Sequence, residues 1–153
     1  MLARRAVVFK SNFCNKFPLP ILGRVSRCHR NKNMPTQVFT LPGHEFSVFR
    51  GEDGAVGWSG GYRGTKVNAA LPIDEARCLI LLDTGASKRE VFENLLCVDR
   101  SGKEVWKAQP PDQPDSFVKF EMTAGGLYAW TWSAWMVRLD PTTGKIIERQ
   151  FVK

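Results

Sequence analysis

His44 is the side chain best suited to acid–base chemistry after residue 33, and it lies in a Pro-Gly-His-Glu segment. With a neighbouring carboxylate, an imidazole could activate water in a small hydrolase. The sequence contains no G-x-S-x-G nucleophile motif, no P-loop and no dinucleotide-binding fingerprint. An isolated histidine in a loop is more often a surface residue than a general base. We therefore predict a protein without enzymatic activity, and a hydrolase that uses His44 and a carboxylate is the alternative.

Metal and redox chemistry would require clustered cysteines or histidines, and the sequence spreads them out. Cys14 and Cys28 precede residue 34, whereas Cys78 and Cys97 lie in apolar runs, and no C-x-x-C motif is present. This spacing does not provide a zinc site. We expect Cys78 and Cys97 to be reduced core residues. If their strands pair as a hairpin, a disulfide could form in an oxidising compartment.

Two aspartates end similar strands and begin similar turns. Residues 97–106 read Cys-Val-Asp-Arg-Ser-Gly-Lys-Glu-Val-Trp, and residues 138–147 read Arg-Leu-Asp-Pro-Thr-Thr-Gly-Lys-Ile-Ile. A turn aspartate accepts hydrogen bonds from nearby backbone N–H groups, and a turn glycine adopts a positive φ. We therefore predict turn anchors rather than catalytic or metal-binding carboxylates. The shared turn residues are Asp99, Gly102, Asp140 and Gly144.

The recurrent pattern Leu-Asp, Thr-Gly-Lys and Trp resembles the quinoprotein-type (PQQ-like) β-propeller repeat. The resemblance covers residues 95–106 and 127–147, and more weakly 46–58. The chain from about residue 66 onward also resembles small uncharacterised bacterial proteins that end in W-x-G-Y-x-V-x-L-D-x-x-T-G-K. Ala134-Trp135 stand here in place of the Gly-Tyr of that stretch. We assign no cofactor, because about 120 residues provide at most three blades and a propeller needs four to eight.

The elements that position these residues are short strands separated by turns. Apolar and β-branched runs bounded by Gly, Pro, Asn and Asp predict eleven strands between residues 38 and 152. The glycine-rich stretch 60–64 is predicted to be a loop, and the one helical candidate is Ser87 to Glu93. The fold class is therefore all-β: an antiparallel meander of two to three propeller-blade-like sheets, as an open propeller fragment or a sandwich. Unprotected sheet edges would favour a homodimer.

Aromatic residues crowd into one strand and the turn that follows it. Strand alternation places Tyr128, Trp130 and Trp132 on one face and Leu127, Ala129 and Thr131 on the other. Burial of the three aromatic residues would make them an inter-sheet core, which we favour. The alternative is an exposed aromatic strip that binds a partner, and Trp135, beyond the turn, is expected to be the most exposed.

Basic charge is concentrated before the strand-rich domain. Residues 1–33 carry eight basic residues and no acidic one, whereas residues 34–153 carry 14 basic and 15 acidic residues. We predict a disordered basic leader at 1–33 and one all-β domain at 34–153. The leader could lie upstream of a true start at Met34, act as an organellar transit peptide, or bind nucleic acid or an anionic surface. The near-neutral domain itself is not expected to bind nucleic acid.

The pattern as a whole favours a cytoplasmic protein-interaction module over an enzyme. No stretch of about 18 apolar residues predicts a membrane span. The version we favour is an immunity-like or inhibitor-like protein that binds one protein partner. We also predict that Gly144→Val would destabilise the fold by about 1–3 kcal/mol, because the turn requires a positive φ.

Overall fold

The computed structural model describes residues 34–86 and 93–152. Within these ranges the chain forms eleven β-strands and two short 3-10 turns, Pro42–His44 and Thr84–Ala86. The strands are β1 Thr36–Thr40, β2 Phe46–Arg50, β3 Val56–Tyr62, β4 Thr65–Pro72, β5 Arg77–Leu82, β6 Leu95–Asp99, β7 Glu104–Lys107, β8 Phe117–Thr123, β9 Gly126–Thr131, β10 Trp135–Leu139 and β11 Ile146–Phe151.

The strands form two antiparallel meanders. One sheet has seven strands in the order β1-β2-β3-β4-β5-β6-β7, and the other has four in the order β11-β10-β9-β8. The predicted all-β class and the antiparallel meander are confirmed. Within the first sheet, β3 and β4 pair at two positions beside their connecting turn, Gly61 with Lys66 and Tyr62 with Thr65.

The structure corrects the glycine-rich loop. Gly60 and Gly61 belong to β3 rather than to a loop. A Cβ atom at Gly60 would lie 1.9 Å from the Glu45 carbonyl oxygen, and one at Gly61 would lie 2.7 Å from the Thr65 carbonyl oxygen. These glycines therefore allow neighbouring backbones to approach closely, which is an established use of glycine inside a strand.

Three layers follow from which side chains share a core; we call β1–β3 the first layer, β4–β7 the second and β8–β11 the third. One buried cluster joins the first layer to one face of the second, and another joins the opposite face of the second layer to the third. Strand β5 alternates between them, since Ile80 lies in the first cluster and Leu79 and Leu81 in the second. Strands β5 and β6 of the second layer are therefore buried on both faces, as the continuous apolar run of β5 indicates.

The two core cysteines lie on opposite faces of the second layer. Strands β5 and β6 pair, with Cys78 opposite Val98 and Cys97 opposite Leu79. Because opposed residues share a face, the two sulfur atoms belong to different clusters and both thiols are free. The conditional disulfide is therefore wrong. Burial raises the pKa of Cys78 to about 12 and that of Cys97 to about 11, so both remain thiols at neutral pH.

The two look-alike segments form equivalent hairpins in successive layers. The first connects β6 to β7 and the second connects β10 to β11. Each has a register irregularity just before its aspartate, between Cys97 and Val98 in one hairpin and between Arg138 and Leu139 in the other. The shared position of this irregularity supports a structural repeat.

A tryptophan of the first layer contacts the second layer, and a tryptophan of the second layer contacts the third. The indole N–H of Trp106 donates to the Pro141 carbonyl oxygen at 3.0 Å, and its ring lies against Gly144. Trp58, also four residues after a turn glycine, donates its indole N–H to the Val67 carbonyl oxygen at 3.0 Å. The matching position of the third layer is Glu148, which pairs with Arg138 instead. Trp58 therefore links the first layer to the second, and Trp106 links the second layer to the third.

Asn94 is a buried clamp between the second and third layers. Its Nδ2 donates to the carbonyl oxygens of Leu82 and Phe117, at 3.1 and 2.7 Å. Its Oδ1 accepts from the Phe117 backbone N–H at 2.9 Å. The side chain is 1% exposed. One amide therefore connects the end of β5 to the start of β8 by three hydrogen bonds.

Two sequence predictions fall outside the described residues. The basic leader at 1–33 lies there, as does the helical candidate Ser87 to Glu93 except for its last residue. No helix in the described part of the chain is long and apolar enough to cross a membrane.

Candidate functional site

His44 does not form part of a catalytic arrangement with the described residues. It ends an exposed 3-10 turn and has a φ of 57°. Its backbone N–H donates to the Leu41 carbonyl oxygen at 3.1 Å. Its side chain makes no ion pair or hydrogen bond with any residue of 34–86 or 93–152. Over the same ranges, no three His, Cys, Asp or Glu side chains are grouped so that they could hold a metal ion.

Asp99 and Asp140 organise their turns. Asp99 Oδ1 accepts from the backbone N–H groups of Ser101 and Lys103, at 2.8 and 3.0 Å, and from the Ser101 hydroxyl at 2.6 Å. Asp140 Oδ1 accepts from the Thr142 N–H at 2.8 Å. Gly102 and Gly144 have φ values of 81° and 70°. Both carboxylates therefore accept backbone hydrogen bonds within their own turns.

These hydrogen bonds make the free energy of unfolding depend on pH. The Ser101 hydroxyl holds the pKa of Asp99 below its usual value, and the Thr142 N–H does the same for the pKa of Asp140. A lowered folded-state pKa stabilises the fold above about pH 4 and loses that effect as pH falls through the lowered value. The variant with Asp99→Asn and Asp140→Asn should be less stable than wild type at pH 7, and urea titrations should show the gap narrowing progressively as the pH falls below about 4. A gap that does not change with pH would contradict this role.

The buried face of β9 is opposite to the aromatic face, which the sequence predicts to be core. Leu127, Ala129 and Thr131 are buried, whereas Tyr128 and Trp130 are half-buried on the outer face of the third layer. The Lys119 ammonium lies 4.7 Å from the centre of the Trp130 ring. The core assignment of the Tyr128/Trp130/Trp132 set is therefore wrong, because the register with β10 places Leu127 and Ala129 beside buried Leu139 and Val137.

Trp135 is not the most exposed tryptophan, which corrects a further expectation. It is half-buried, and its indole N–H donates to Asp112 Oδ2 at 2.6 Å. Its ring meets Phe151 edge-on at 5.3 Å between centroids, and the Arg149 guanidinium lies 5.4 Å from its centre. Trp135 therefore lies on the opposite face from Tyr128 and Trp130.

Trp132 is the most exposed tryptophan of the described residues, with 82% of its surface accessible. It lies just after β9, on the turn into β10. Four successive backbone N–H groups of this turn are hydrogen-bonded: Trp132 to the Ser116 carbonyl oxygen at 3.0 Å, Ser133 to Asp115 Oδ1 at 3.4 Å, Ala134 to the Thr131 carbonyl oxygen at 3.2 Å, and Trp135 to Thr131 Oγ1 at 3.3 Å. The turn therefore holds a large apolar side chain in solvent on a fixed backbone.

Ala134 stores strain in this turn, with a φ of 66°. A non-glycine residue with a positive φ is destabilised by about 1–2 kcal/mol. This strain is larger than the loss of stability that glycine causes by making the unfolded chain more flexible. Ala134→Gly should therefore raise the free energy of unfolding by about 0.5–1 kcal/mol in chemical denaturation. Ala55→Gly, at an exposed alanine outside the positive-φ set, is the control and should be destabilising. Loss of stability in Ala134→Gly would contradict the strain.

Asp115 is a buried residue that accepts a hydrogen bond from the exposed turn. It is 8% exposed, and Oδ1 accepts from the N–H of Ser116 at 2.7 Å as well as from Ser133. Its Oδ2 is buried without a hydrogen-bond partner among the described residues. Sequence reasoning missed Asp112 and Asp115, because their proline-rich segment gave no signal that it would fold under a turn about 18 residues away.

The part of the chain that matches a known protein family coincides with two of the three layers. No curated protein and no solved structure matches the chain. One protein family does, over residues 64–151, which spans the second and third layers from the start of β4 to the end of β11. On this match, the chain belongs to the family described as a domain of unknown function (DUF7957).

Proposed function

We propose that this protein is a non-enzymatic interaction module that binds one protein partner through Trp132, in the manner of an immunity or inhibitor protein. The observation that carries the proposal is the exposure of Trp132 on a turn whose four amides are all bonded. A tryptophan side chain in solvent leaves a large apolar surface hydrated. Burial of one tryptophan against a partner removes about 150–250 Å² from water.

The rigidity of the turn favours a binding role. Binding loses affinity when it must order a mobile side chain or loop, so a fixed backbone lowers that cost. Tryptophan is also the residue type most enriched among those that dominate binding energy at interfaces. Half-buried Tyr128 and Trp130, with Lys119 beside Trp130, extend the apolar surface along the outer face of the third layer.

We also propose that the layers are propeller-type repeats. The support is the equivalent hairpins of the second and third layers and the tryptophans that follow turn glycines and bond to the next layer. In such an arrangement the layers are scaffold, and connecting turns such as residues 132–134 carry the variable contacts.

The test compares three versions of the full chain as affinity baits in an extract of the cells that make it: wild type, Trp132→Ser and Val105→Ser. Val105 is 44% exposed on β7 and is the control for loss of an exposed apolar residue. We expect a protein that wild type and Val105→Ser retain and Trp132→Ser loses. Titration calorimetry with that purified protein should show at least a tenfold rise in Kd for Trp132→Ser.

The outcome that contradicts the proposal is equally definite. If every protein retained by wild type is also retained by Trp132→Ser, or if the purified partner binds both with the same Kd, Trp132 is not the binding residue. Thermal unfolding should show that Trp132→Ser folds with unchanged stability, since its side chain contributes little burial.

A further inference from the structure

A positively charged cleft lies on the other side of the third layer from Tyr128 and Trp130. Its volume is about 620 Å³, and it opens between the end of β7, the segment after it and the β10–β11 hairpin. Its charged lining residues are Lys107, Lys145 and Arg149, and no acidic residue lines it. The 34–153 region carries 14 basic and 15 acidic residues, so this concentration of positive charge is local.

The cations of the cleft are incompletely neutralised. Lys107 lies 3.8 Å from Glu93 and 3.6 Å from Glu104. Within the described ranges, Lys145 and Arg149 form no ion pair with a carboxylate. The face of Trp135 orients the Arg149 guanidinium, and Asp112 in turn fixes that indole. Arg149 is thus positioned for an anion before any ligand arrives.

The cleft runs beside an open strand edge. Strand β11 ends its sheet and pairs, among the described strands, with β10 alone. Five of its six residues are exposed, including the apolar side chains of Ile147 at 54% and Phe151 at 51%. An open edge presents backbone N–H and C=O groups to which an extended peptide can add as a further strand.

We propose that an extended, acidic segment of a partner protein adds to the edge of β11 and places its carboxylates in this cleft. Alternate residues of an added strand point to one face, so acidic side chains at every second position would reach Lys145 and Arg149. Backbone pairing supplies affinity and the cations supply selectivity for acidic segments. The site is distinct from Trp132 and would stand even if Trp132 bound nothing.

The probe is an eight-residue peptide of alternating Glu and Val, titrated calorimetrically into the full chain. We expect Lys145→Glu and Arg149→Glu each to raise its Kd at least tenfold. Lys103→Glu is the matched control, because Lys103 is the exposed lysine at the same place in the β6–β7 hairpin and the change in net charge is identical. It should change Kd by no more than about twofold. Lys145→Gln provides a milder variant if charge reversal impairs folding.

A peptide of alternating Glu and Val that is methylated at every backbone nitrogen tests the strand addition, because a methylated amide cannot donate to a ladder. We expect it to bind at least tenfold more weakly than the Glu-Val peptide. Equal binding of the two peptides, equal effects of Lys103→Glu and Lys145→Glu, or no binding of the Glu-Val peptide at about 1 mM would each overturn the proposal.

Discussion

Asn94→Ala is expected to lower the free energy of unfolding by about 3–5 kcal/mol. The substitution removes three hydrogen bonds at a fully buried position. It leaves the Phe117 N–H and two carbonyl oxygens without their partner, and each buried polar group left unsatisfied costs about 1–3 kcal/mol. The effect should be seen in urea denaturation followed by tryptophan fluorescence.

Two further variants separate the hydrogen bonds from side-chain volume. Asn94→Asp has the same shape but directs a carboxylate oxygen at the Leu82 and Phe117 carbonyl oxygens, so it should be at least as costly as Asn94→Ala. Asn68→Ala, at an exposed asparagine of β4, should change stability by less than about 0.5 kcal/mol. If Asn94→Ala cost no more than Asn68→Ala, Asn94 would not clamp the layers together.

Gly144→Ala is expected to cost about 3–5 kcal/mol, more than its positive φ alone explains. The added Cβ would lie 2.4 Å from Trp106 Cε3 and 2.7 Å from Cδ2. The indole must therefore move, although its N–H is bonded to Pro141 and the residue is 7% exposed. The expected cost of Gly144→Val rises accordingly above the 1–3 kcal/mol that strain alone gives.

The equivalent glycine of the other hairpin provides the control. Gly102 has a φ of 81°, but a Cβ there would meet nothing closer than Leu41 Cδ2 at 3.9 Å. Gly102→Ala should therefore cost only the strain, about 1–2 kcal/mol. Equal losses for Gly102→Ala and Gly144→Ala would show that Trp106 does not determine the cost.

The strands and turns could be predicted from the sequence because their signals are local. Eleven runs bounded by turn residues became eleven strands, and the Asp-to-Gly turns depend on residues within five positions of each other. The two-faced apolar run of β5 likewise indicated a central layer. Gly60 and Gly61 misled because a glycine that permits close backbone contact looks like a loop glycine until its neighbours are known.

The burial of β9 could not be read from β9 itself. Both of its faces are apolar, and the aromatic face has the larger area. The pairing of β9 with β10 determines which face of β9 is buried. Val137 and Leu139 face the second layer, so Ala129 and Leu127, which lie opposite them, face it as well. The support of Trp132 by Asp115 and Ser116 and the bonds of Asn94 to Phe117 are likewise contacts between distant parts of the chain.

A double-mutant cycle between Trp106 and Gly144 tests most directly whether the tryptophan of one layer packs on the turn glycine of the next. The free energy of unfolding would be measured for wild type, Trp106→Leu, Gly144→Ala and the double variant. Because Trp106→Leu removes the ring that the new methyl group would strike, Gly144→Ala should cost at least about 1 kcal/mol less in that background. Additive losses within about 0.5 kcal/mol would contradict the stacking of layers by tryptophan on glycine.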